Sequence, residues 1–255
     1  MYKEVQAKSI ITKSGLPGSD FVINPYTGCS HGCIYCYAQF MKKYTGHKED
    51  WGKFVDIKIN GPKLIKGNLK GKNITISSVT DAYQPIEQKY KLTRQILEKL
   101  IPLEPNICII TKSNLVTRDI DLFKQFKNIK VCISLSSFLK DIEPGASSQE
   151  DRIKAMKELY DNGIYTVLFM SPILPELSDW KDIINRTKDF VNEYWFENLN
   201  YYRNLKQYIV QNHNELLPLY EDIYVFKKSD YFTKLQEEIR QYCIDNDLKH
   251  RIFFH

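Results

Sequence analysis

The sequence has no apolar stretch that approaches the roughly 20 consecutive residues a membrane-spanning helix needs. Its most apolar segment, residues 164–174, has the length of a buried strand. Residues 1–14 mix lysine and glutamate with few apolar side chains, and they contain no signal-peptide core. These absences predict a cytoplasmic protein without membrane association, in a compartment where thiols stay reduced.

An excess of charge of one sign is also lacking. The sequence has 36 basic and 31 acidic residues, which gives a net charge of +5 over 255 residues. Such a mild excess helps an anionic ligand to approach, but it is weaker than the basic surface typical of duplex nucleic-acid binding. We find no repeat of fixed period and no low-complexity linker, so the length alone is compatible with one large domain or two smaller ones.

Six short β-rich runs alternate with longer segments of helical spacing. Leu92, Ile96, Leu97 and Leu100, for example, recur at the intervals that define one face of a helix. This alternation is typical of right-handed βαβ units and a parallel sheet, and six units suit a partial barrel better than an eightfold one. The predicted strands cover residues 20–25, 73–78, 106–111, 129–134, 165–170 and 193–198.

The pattern changes after residue 200. Residues 201–255 are rich in tyrosine and have helical spacing, with one predicted helix over 230–246. The sequence therefore predicts an α/β fold: a partial (β/α)6 TIM-like barrel over residues 1–200, and a helical C-terminal extension over 201–255 that packs on the barrel. Because ligands of such folds bind at the carboxyl ends of the strands, the residues after each strand are the candidates for chemistry.

Cysteine is scarce and unevenly distributed. Three of the six cysteines, Cys29, Cys33 and Cys36, lie within eight positions directly after the first predicted strand. This CxxxCxxC spacing suits a loop that wraps an iron–sulfur cluster, since thiolates are the usual ligands of such clusters. Three ligands to a four-iron cluster leave one iron open. A zinc site of the three cysteines plus His31 stays open as an alternative, although zinc ligands usually come as two separated pairs.

The string from Asn24 through the three cysteines to Ala38 resembles the radical S-adenosylmethionine (SAM) superfamily, whose hallmark is CxxxCxxC followed by an aromatic residue. Within this superfamily, the sequence is similar to the spore photoproduct lyase-like branch, and most of all to the radical SAM mobile pair protein B group. Residues 195–200 add to this second resemblance. The resemblance covers residues 24–200. It implies a partial (β/α)6 barrel, a [4Fe–4S] cluster on the three cysteines, and SAM as a cofactor.

The resemblance also implies SAM-binding residues at the ends of the strands. A hydroxyl and a carboxylate after the second strand suit the ammonium of SAM, and a lysine after the third strand suits its carboxylate. The residues alone leave structural roles open as alternatives to SAM binding. Asp81 can be a helix N-cap, and Lys112 and Arg152 can be solvated side chains. The candidate cofactor-binding residues are Tyr37, Ala38, Thr80, Asp81, Lys112, Ser134, Glu143, Arg152 and Pro172.

Two tyrosines next to the third cysteine are the candidate catalytic residues. Tyr35 and Tyr37 flank Cys36, as tyrosines flank the third cluster cysteine of spore photoproduct lyase. That enzyme has a hydrogen-donating cysteine shortly before its Ser–Asp pair, whereas the corresponding position here is Ser78. Because an O–H bond is a far poorer hydrogen donor to a carbon radical than an S–H bond, the sequence disfavours repair of the thymine photoproduct.

Two classes of function are compatible with these observations. The first is a radical SAM enzyme, lyase-like or of another radical-transfer class, that cleaves SAM reductively to a 5′-deoxyadenosyl radical and acts on an unidentified substrate. A nucleobase or nucleic acid is the narrower version of this hypothesis. The second is a non-catalytic zinc-binding or interaction module. The resemblance implies a reducing partner such as flavodoxin or ferredoxin, and a second radical SAM protein as mobile pair partner.

Overall fold

The computed structural model describes residues 1–139, 141–200 and 203–255, which form eleven strands and eight α-helices. The strands are β1 (Tyr2–Val5), β2 (Ile11–Lys13), β3 (Phe21–Ile23), β4 (Tyr26–Thr27), β5 (Val55–Lys58), β6 (Asn73–Ile76), β7 (Asn106–Thr111), β8 (Asn128–Ser134), β9 (Tyr165–Ile173), β10 (Glu193–Asn198) and β11 (His250–Phe253). The α-helices are α1 (Glu87–Tyr90), α2 (Leu92–Leu100), α3 (Ile120–Phe123), α4 (Gln149–Asp161), α5 (Trp180–Thr187), α6 (Arg203–Asn212), α7 (Leu217–Glu221) and α8 (Tyr231–Asp245). Short 3₁₀ helices cover Tyr37–Tyr44, Gly61–Leu64, Ile101–Leu103, Asn114–Asp119 and Asn214–Leu216, and a π-helical turn covers Asp222–Phe226.

The larger of two sheets has eight strands in the order β2-β3-β6-β7-β8-β9-β10-β11. From β3 to β11 every neighbouring pair is parallel, and β2 at one edge is antiparallel to β3. Helices connect most of the successive parallel strands, as βαβ units require. β1, β5 and β4 form a separate three-stranded sheet. This architecture confirms the prediction of a partial barrel of the α/β class.

Each of the six predicted strands is present, as β3 and β6 to β10. β7 and β10 have the predicted bounds, residues 106–111 and 193–198. The helix that follows β8 begins at an N-cap, since Ser148 Oγ accepts a hydrogen bond from the backbone N–H of Asp151 at 3.1 Å. It ends before Gly163, whose φ of 76° is left-handed and costs glycine no strain.

The register of the parallel strands separates two faces of the sheet. On the outer face, Ile109 pairs with Val131, and both belong to the core under the helices. On the inner face, Phe169 pairs with Trp195, and their ring centroids are 5.7 Å apart. Phe253 packs edge-on against both rings, at 6.4 and 5.6 Å. Three aromatic rings therefore occupy the interior of the partial barrel below the carboxyl ends of its strands.

The C-terminal region is helical except at its end. The predicted helix over 230–246 is present as α8, and α6 and α7 precede it. The prediction of a helical extension missed β11, which pairs in parallel with β10 and adds a strand to the sheet. The predicted boundary lies between residues 200 and 201, and residues 201 and 202 lie outside the described residues. In the described ranges, no helix has both the length and the apolarity to cross a membrane.

Candidate functional site

The three cysteines lie in residues 24–38, here called the cysteine loop, which follows the carboxyl end of β3. Cys29 and Cys33 are buried, Cys36 is half-buried, and all three are free thiols. The loop curls tightly: the backbone N–H of Gly32 donates to Cys29 O at 3.4 Å, and that of Cys36 donates to Cys33 O at 3.1 Å. Two successive turns thus bring three free thiols into one short loop.

This donor set fits an iron–sulfur cluster. Burial raises the pKa of all three thiols, so a thiolate in this loop needs a bound cation to offset the loss of solvation. A single zinc ion requires its sulfur ligands about 2.3 Å from one point. Within the part of the chain that the structure describes, no three His, Cys, Asp or Glu side chains are arranged to hold one metal ion. A four-iron cluster instead offers each thiolate its own iron.

His31, the fourth ligand of the zinc alternative, is paired with Asp81. Its Nδ1 lies 3.3 Å from Asp81 Oδ2, and both side chains are buried. Asp81 also accepts hydrogen bonds from Thr111 Oγ1 at 2.7 Å and from the backbone N–H groups of Lys112 and Tyr83, both at 2.8 Å. Burial by itself raises the pKa of the Asp81 carboxyl, but the charge of His31 and these hydrogen bonds outweigh it and hold that pKa below its ordinary value. Asp81 therefore ties the cysteine loop to the ends of β6 and β7.

A second tie to the cysteine loop comes from a residue that the sequence analysis missed. The side chain of Gln84 is fully buried, and its Oε1 accepts a hydrogen bond from the backbone N–H of Ser30 at 2.9 Å. Its Nε2 donates to Thr80 Oγ1 at 3.1 Å, and Thr80 Oγ1 donates to Gly28 O at 2.6 Å. Gly28 has a φ of 85° there, which favours glycine. Nothing in an isolated glutamine of the sequence indicates this contact.

The ends of β7 and β8 meet at Glu143. Arg152 Nη2 donates to Glu143 Oε2 at 2.5 Å, and its Nη1 donates to Ser134 O at 2.8 Å. Lys112 Nζ lies 3.4 Å from Glu143 Oε1 and donates to Ser134 Oγ, and the Tyr35 hydroxyl donates to Glu143. Burial alone raises the pKa of Glu143, but the charges of Lys112 and Arg152 lower it to about 2. Because Arg152 is only 1% exposed, it is not a solvated helix residue.

The remaining predicted residues lie on either side of these networks. Tyr37 is exposed, and its hydroxyl donates to Ser78 O. Ala38 is buried in the first turn of the 3₁₀ helix that follows the cysteines. Pro172 is buried near the end of β9. The Ser78 hydroxyl accepts a hydrogen bond from Asn24 Nδ2 at 2.9 Å, at the start of the cysteine loop. All of the predicted site residues therefore lie near the carboxyl ends of the parallel strands or in the loops that follow them.

A carboxylate at the end of β10 is a further candidate that the sequence analysis missed. Glu197 has a side chain that is 28% exposed, and its Oε1 lies 3.7 Å from His255 Nε2. The Ser171 hydroxyl donates to Glu197. Asn198 fixes His255, since its Nδ2 donates to His255 O at 3.2 Å and its Oδ1 accepts from His255 N at 3.1 Å. Partial burial, and to a lesser degree the charge of Glu197, raise the pKa of the Tyr37 hydroxyl. The position of Glu197 at the end of a predicted strand was the signal that could have found it.

A partial barrel with a three-cysteine loop after its first parallel strand, and polar networks at the carboxyl ends of the following strands, defines the class of radical SAM proteins. The sequence profile of the Radical SAM superfamily matches residues 23–187. The chain belongs to this superfamily, and membership implies a [4Fe–4S] cluster and SAM.

Two sequence relatives and one solved structure are similar to the chain. An uncharacterized protein of Methanocaldococcus jannaschii is 46% identical over 232 residues, which are 88% of each chain. The radical SAM Nalpha-GlyT isomerase of Pseudomonas phage M6 is 28% identical over 169 residues, which cover 62% of this chain and 34% of the phage protein. Spore photoproduct lyase complexed with dinucleoside spore photoproduct has a TM-score of 0.74 at 16% identity, over 100% of this chain and 82% of the lyase. That last likeness shows a shared fold.

Proposed function

We propose that this protein is an enzyme that cleaves SAM reductively and directs the resulting radical to a nucleobase or nucleic-acid substrate. Cys29, Cys33 and Cys36 hold a [4Fe–4S] cluster, which supplies the electron that converts SAM into methionine and a 5′-deoxyadenosyl radical. The observation that carries this proposal is the loop of three free, largely buried thiols at the carboxyl end of a parallel sheet. Ligands of such sheets bind at that end.

Lys112 is our candidate for binding the carboxylate of SAM. Among the described residues its ammonium has three acceptors: the hydroxyl of Ser134, the carbonyl of Ser171 at 3.1 Å, and Glu143 at 3.4 Å. The first two are neutral oxygens. A ligand carboxylate can displace them, because a hydrogen bond between two charged groups is stronger than one to a neutral oxygen. Glu143 and Arg152 then act by holding Lys112 in place.

Asp81 and Thr80 belong to the support of the cysteine loop in this proposal. The oxygens of Asp81 already accept from Thr111, Lys112 and His31, and the Thr80 hydroxyl already donates to Gly28 O. These bonds fix the loop relative to β6 and β7. Tyr37 and Ala38, directly after the last cysteine, and Pro172, near the end of β9, are left to contact the adenine.

Glu197 is our candidate for contacting the substrate. Its carboxylate is partly exposed, one hydroxyl donates to it, and a histidine ring nitrogen lies 3.7 Å away. An ionised carboxylate has about four acceptor sites, so several remain for donors of a ligand. The rings of Phe169, Trp195 and Phe253 pack edge-on against one another on the inner face of the sheet. In this proposal the substrate meets Glu197 at the mouth of the barrel.

The proposed substrate class rests on the relatives and on the position of Glu197 at the mouth of the barrel. The phage relative is named for isomerisation of Nalpha-GlyT, and the lyase with the shared fold was solved with a dinucleoside photoproduct. An N–H or amino group of a nucleobase is a donor of the kind that Glu197 can accept. Ser78 stands where the lyase has its hydrogen-donating cysteine, so the reaction we propose differs from photoproduct repair.

The first experiment tests the radical chemistry. Anaerobically prepared protein should contain about four iron atoms and four sulfides per chain, lose its visible absorbance with dithionite, and form 5′-deoxyadenosine from SAM. Replacing Cys33 with alanine should abolish both the cluster and 5′-deoxyadenosine. The matched control is Cys243→Ala, since Cys243 is a buried free thiol in α8, and it should keep both. Stoichiometric zinc without iron in the wild-type protein would overturn the proposal in favour of a zinc-binding module.

The second experiment tests the substrate class. The enzyme is incubated with deuterium-labelled nucleosides and with labelled single-stranded oligodeoxynucleotides, and the deuterium content of 5′-deoxyadenosine is measured. Transfer of deuterium from a base is the expected result. SAM cleavage without deuterium transfer from any of these probes contradicts the nucleobase proposal and leaves the radical chemistry intact.

Two partners belong to the proposal. Reductive cleavage of SAM requires one electron, which a flavodoxin or ferredoxin supplies. We expect a second radical SAM protein as the other partner because the sequence resembles the mobile pair group. Co-purification of this protein with a second radical SAM protein tests that partnership, and a monomer of full activity contradicts it.

A further inference from the structure

Residues 47–54, here called the cover segment, pack against the cysteine loop and have no part in the networks described above. His47 stacks on Phe54 with ring centroids 4.0 Å apart and an interplanar angle of 16°. Its two ring nitrogens lie 3.1 Å from Glu49 and 3.0 Å from Asp56. The histidine therefore fixes both ends of the segment, and it sets the position of the residues between them.

The cover segment touches the backbone of the cysteine loop. A Cβ atom at Gly52 would lie 2.9 Å from Gly32 Cα, closer than real Cβ contacts allow. A Cβ atom at Gly28 would collide with the backbone carbonyl of Phe54. The cover segment thus contacts the backbone of the cysteine loop at two places, Gly52 with Gly32 and Phe54 with Gly28, so it has little freedom to move away from the thiols.

Trp51 lies in this segment with an unsatisfied hydrogen-bond donor. Its ring packs edge-on against Phe54 at 5.8 Å, and its indole Nε1 is buried. In the described part of the chain, no acceptor meets the full distance and angle of a hydrogen bond to that nitrogen. The Cys36 thiol is the acceptor that it approaches: burial, the largest effect, raises the pKa of Cys36, and a hydrogen-bond interaction with the Trp51 side chain is among the influences that lower it. A buried N–H is costly to leave without a strong acceptor, and a thiolate accepts more strongly than a neutral thiol.

We propose that Trp51 donates its indole N–H to the Cys36 sulfur when that sulfur is a cluster ligand, and that this bond raises the reduction potential of the cluster. A hydrogen bond to a thiolate ligand withdraws negative charge from it, and therefore favours the more negative, reduced cluster. Trp51 is a positioning and tuning residue in this account. The inference rests on the proposed function only in requiring that the cysteine loop holds an iron–sulfur cluster.

The test is the midpoint potential of the cluster in Trp51→Phe, measured by electron paramagnetic resonance during a redox titration of the SAM-free holoprotein. Loss of the N–H should lower the potential, so that the ratio of reduced to oxidised cluster at a fixed potential falls about threefold to tenfold, or roughly 30 to 60 mV for one electron. If Trp51 only keeps water out, the sign reverses, because solvent stabilises the more highly charged reduced cluster. A higher or unchanged potential overturns the proposal.

Two further measurements keep the result unambiguous. Phe54→Leu loosens the same segment but keeps the indole donor, so it should not lower the potential. The wild-type protein labelled with ¹⁵N in its tryptophan indoles should show a magnetic coupling between ¹⁵N and the reduced cluster, which requires no variant to fold. Absence of that coupling in a protein that contains the cluster overturns the proposal. Absence of any cluster in the wild-type protein would contradict the proposed function itself.

Discussion

Two carboxylates lie near the carboxyl ends of the parallel strands, and they are held in contrasting ways. Glu143 has a side chain that is 4% exposed, and it is bound by Arg152, Lys112 and Tyr35. Glu197 is 28% exposed, with one hydroxyl donor and a histidine nitrogen 3.7 Å away. The first carboxylate is saturated by the protein's own donors, and the second retains acceptor sites.

The contrast separates the support of the site from its recognition surface. Removing one partner of a buried charge pair leaves the other charge without compensation, whereas a partly exposed charge is solvated by water. We therefore expect changes around Glu143 to affect stability first, and changes at Glu197 to affect function alone. Three predictions test this comparison, in order of decreasing effect on stability.

Arg152→Ala should have the largest effect. It leaves the Glu143 carboxylate buried without its closest charged partner, Arg152 Nη2 at 2.5 Å. We expect a loss of about 3–5 kcal/mol in the free energy of unfolding, measured by urea denaturation. The matched control is Lys157→Ala on the same helix, where the exposed pair Lys157–Asp161 should contribute about 0.5 kcal/mol or less. Equal losses of unfolding free energy in the two variants would show that Arg152 does not stabilise the folded protein through its pairing with Glu143.

The second prediction concerns pH. The pKa of Glu143 is lowered from 4.5 to about 2 by Lys112 and Arg152 against the effect of burial. A lowered folded-state pKa stabilises the protein above the unfolded-state pKa, and this stabilisation is lost as the pH falls from about 4.5 towards 2. Between pH 5 and pH 3 the loss should be roughly 2 kcal/mol. The stability difference between wild type and Glu143→Gln, from urea midpoints at each pH, should shrink by that amount. A difference that is constant across this range contradicts the prediction.

Glu197→Gln should have the smallest effect on stability, below about 1 kcal/mol, because the side chain is partly solvated. Formation of 5′-deoxyadenosine in the absence of substrate should be unchanged, since no candidate SAM contact is removed. Deuterium transfer from a labelled substrate should be lost, because glutamine replaces an acceptor-only carboxylate by a group that also donates. If Glu197→Gln destabilises the protein as much as Glu143→Gln does, Glu197 belongs to the support and the comparison fails.

The repeating part of the fold could be predicted from the sequence. β7 and β10 have their predicted bounds because their sequences combine β-branched or aromatic residues with turn signals at each end. β2, β11 and the strands of the smaller sheet were missed. β11 has the sequence His-Arg-Ile-Phe, which is too short and too charged to indicate a strand. It is a strand because the edge of β10 offers unpaired backbone groups, which no local pattern reveals.

The candidate site also has one part that the sequence predicts and another part that it does not. The spacing of Cys29, Cys33 and Cys36 predicts a cluster loop, and the structure gives a loop of three free thiols that fits one. Glu197 could have been found from its position at the end of a predicted strand, but Gln84 and Trp51 could not be predicted as members of the site. Each is an ordinary residue in its local sequence and gains its meaning from a partner, such as Ser30 for Gln84, that lies on another element.

The sequence by itself determined the class of chemistry, because three thiols within eight residues can share one cluster whatever the rest of the chain does. It also determined the βαβ order, because hydrophobic periodicity is a local property of the chain. Only the tertiary structure decided which carboxylate is a support and which is open to a ligand. That distinction depends on burial and on charges far apart in the sequence, as in the pairing of Lys112 with Glu143, and neither quantity exists before the chain is folded.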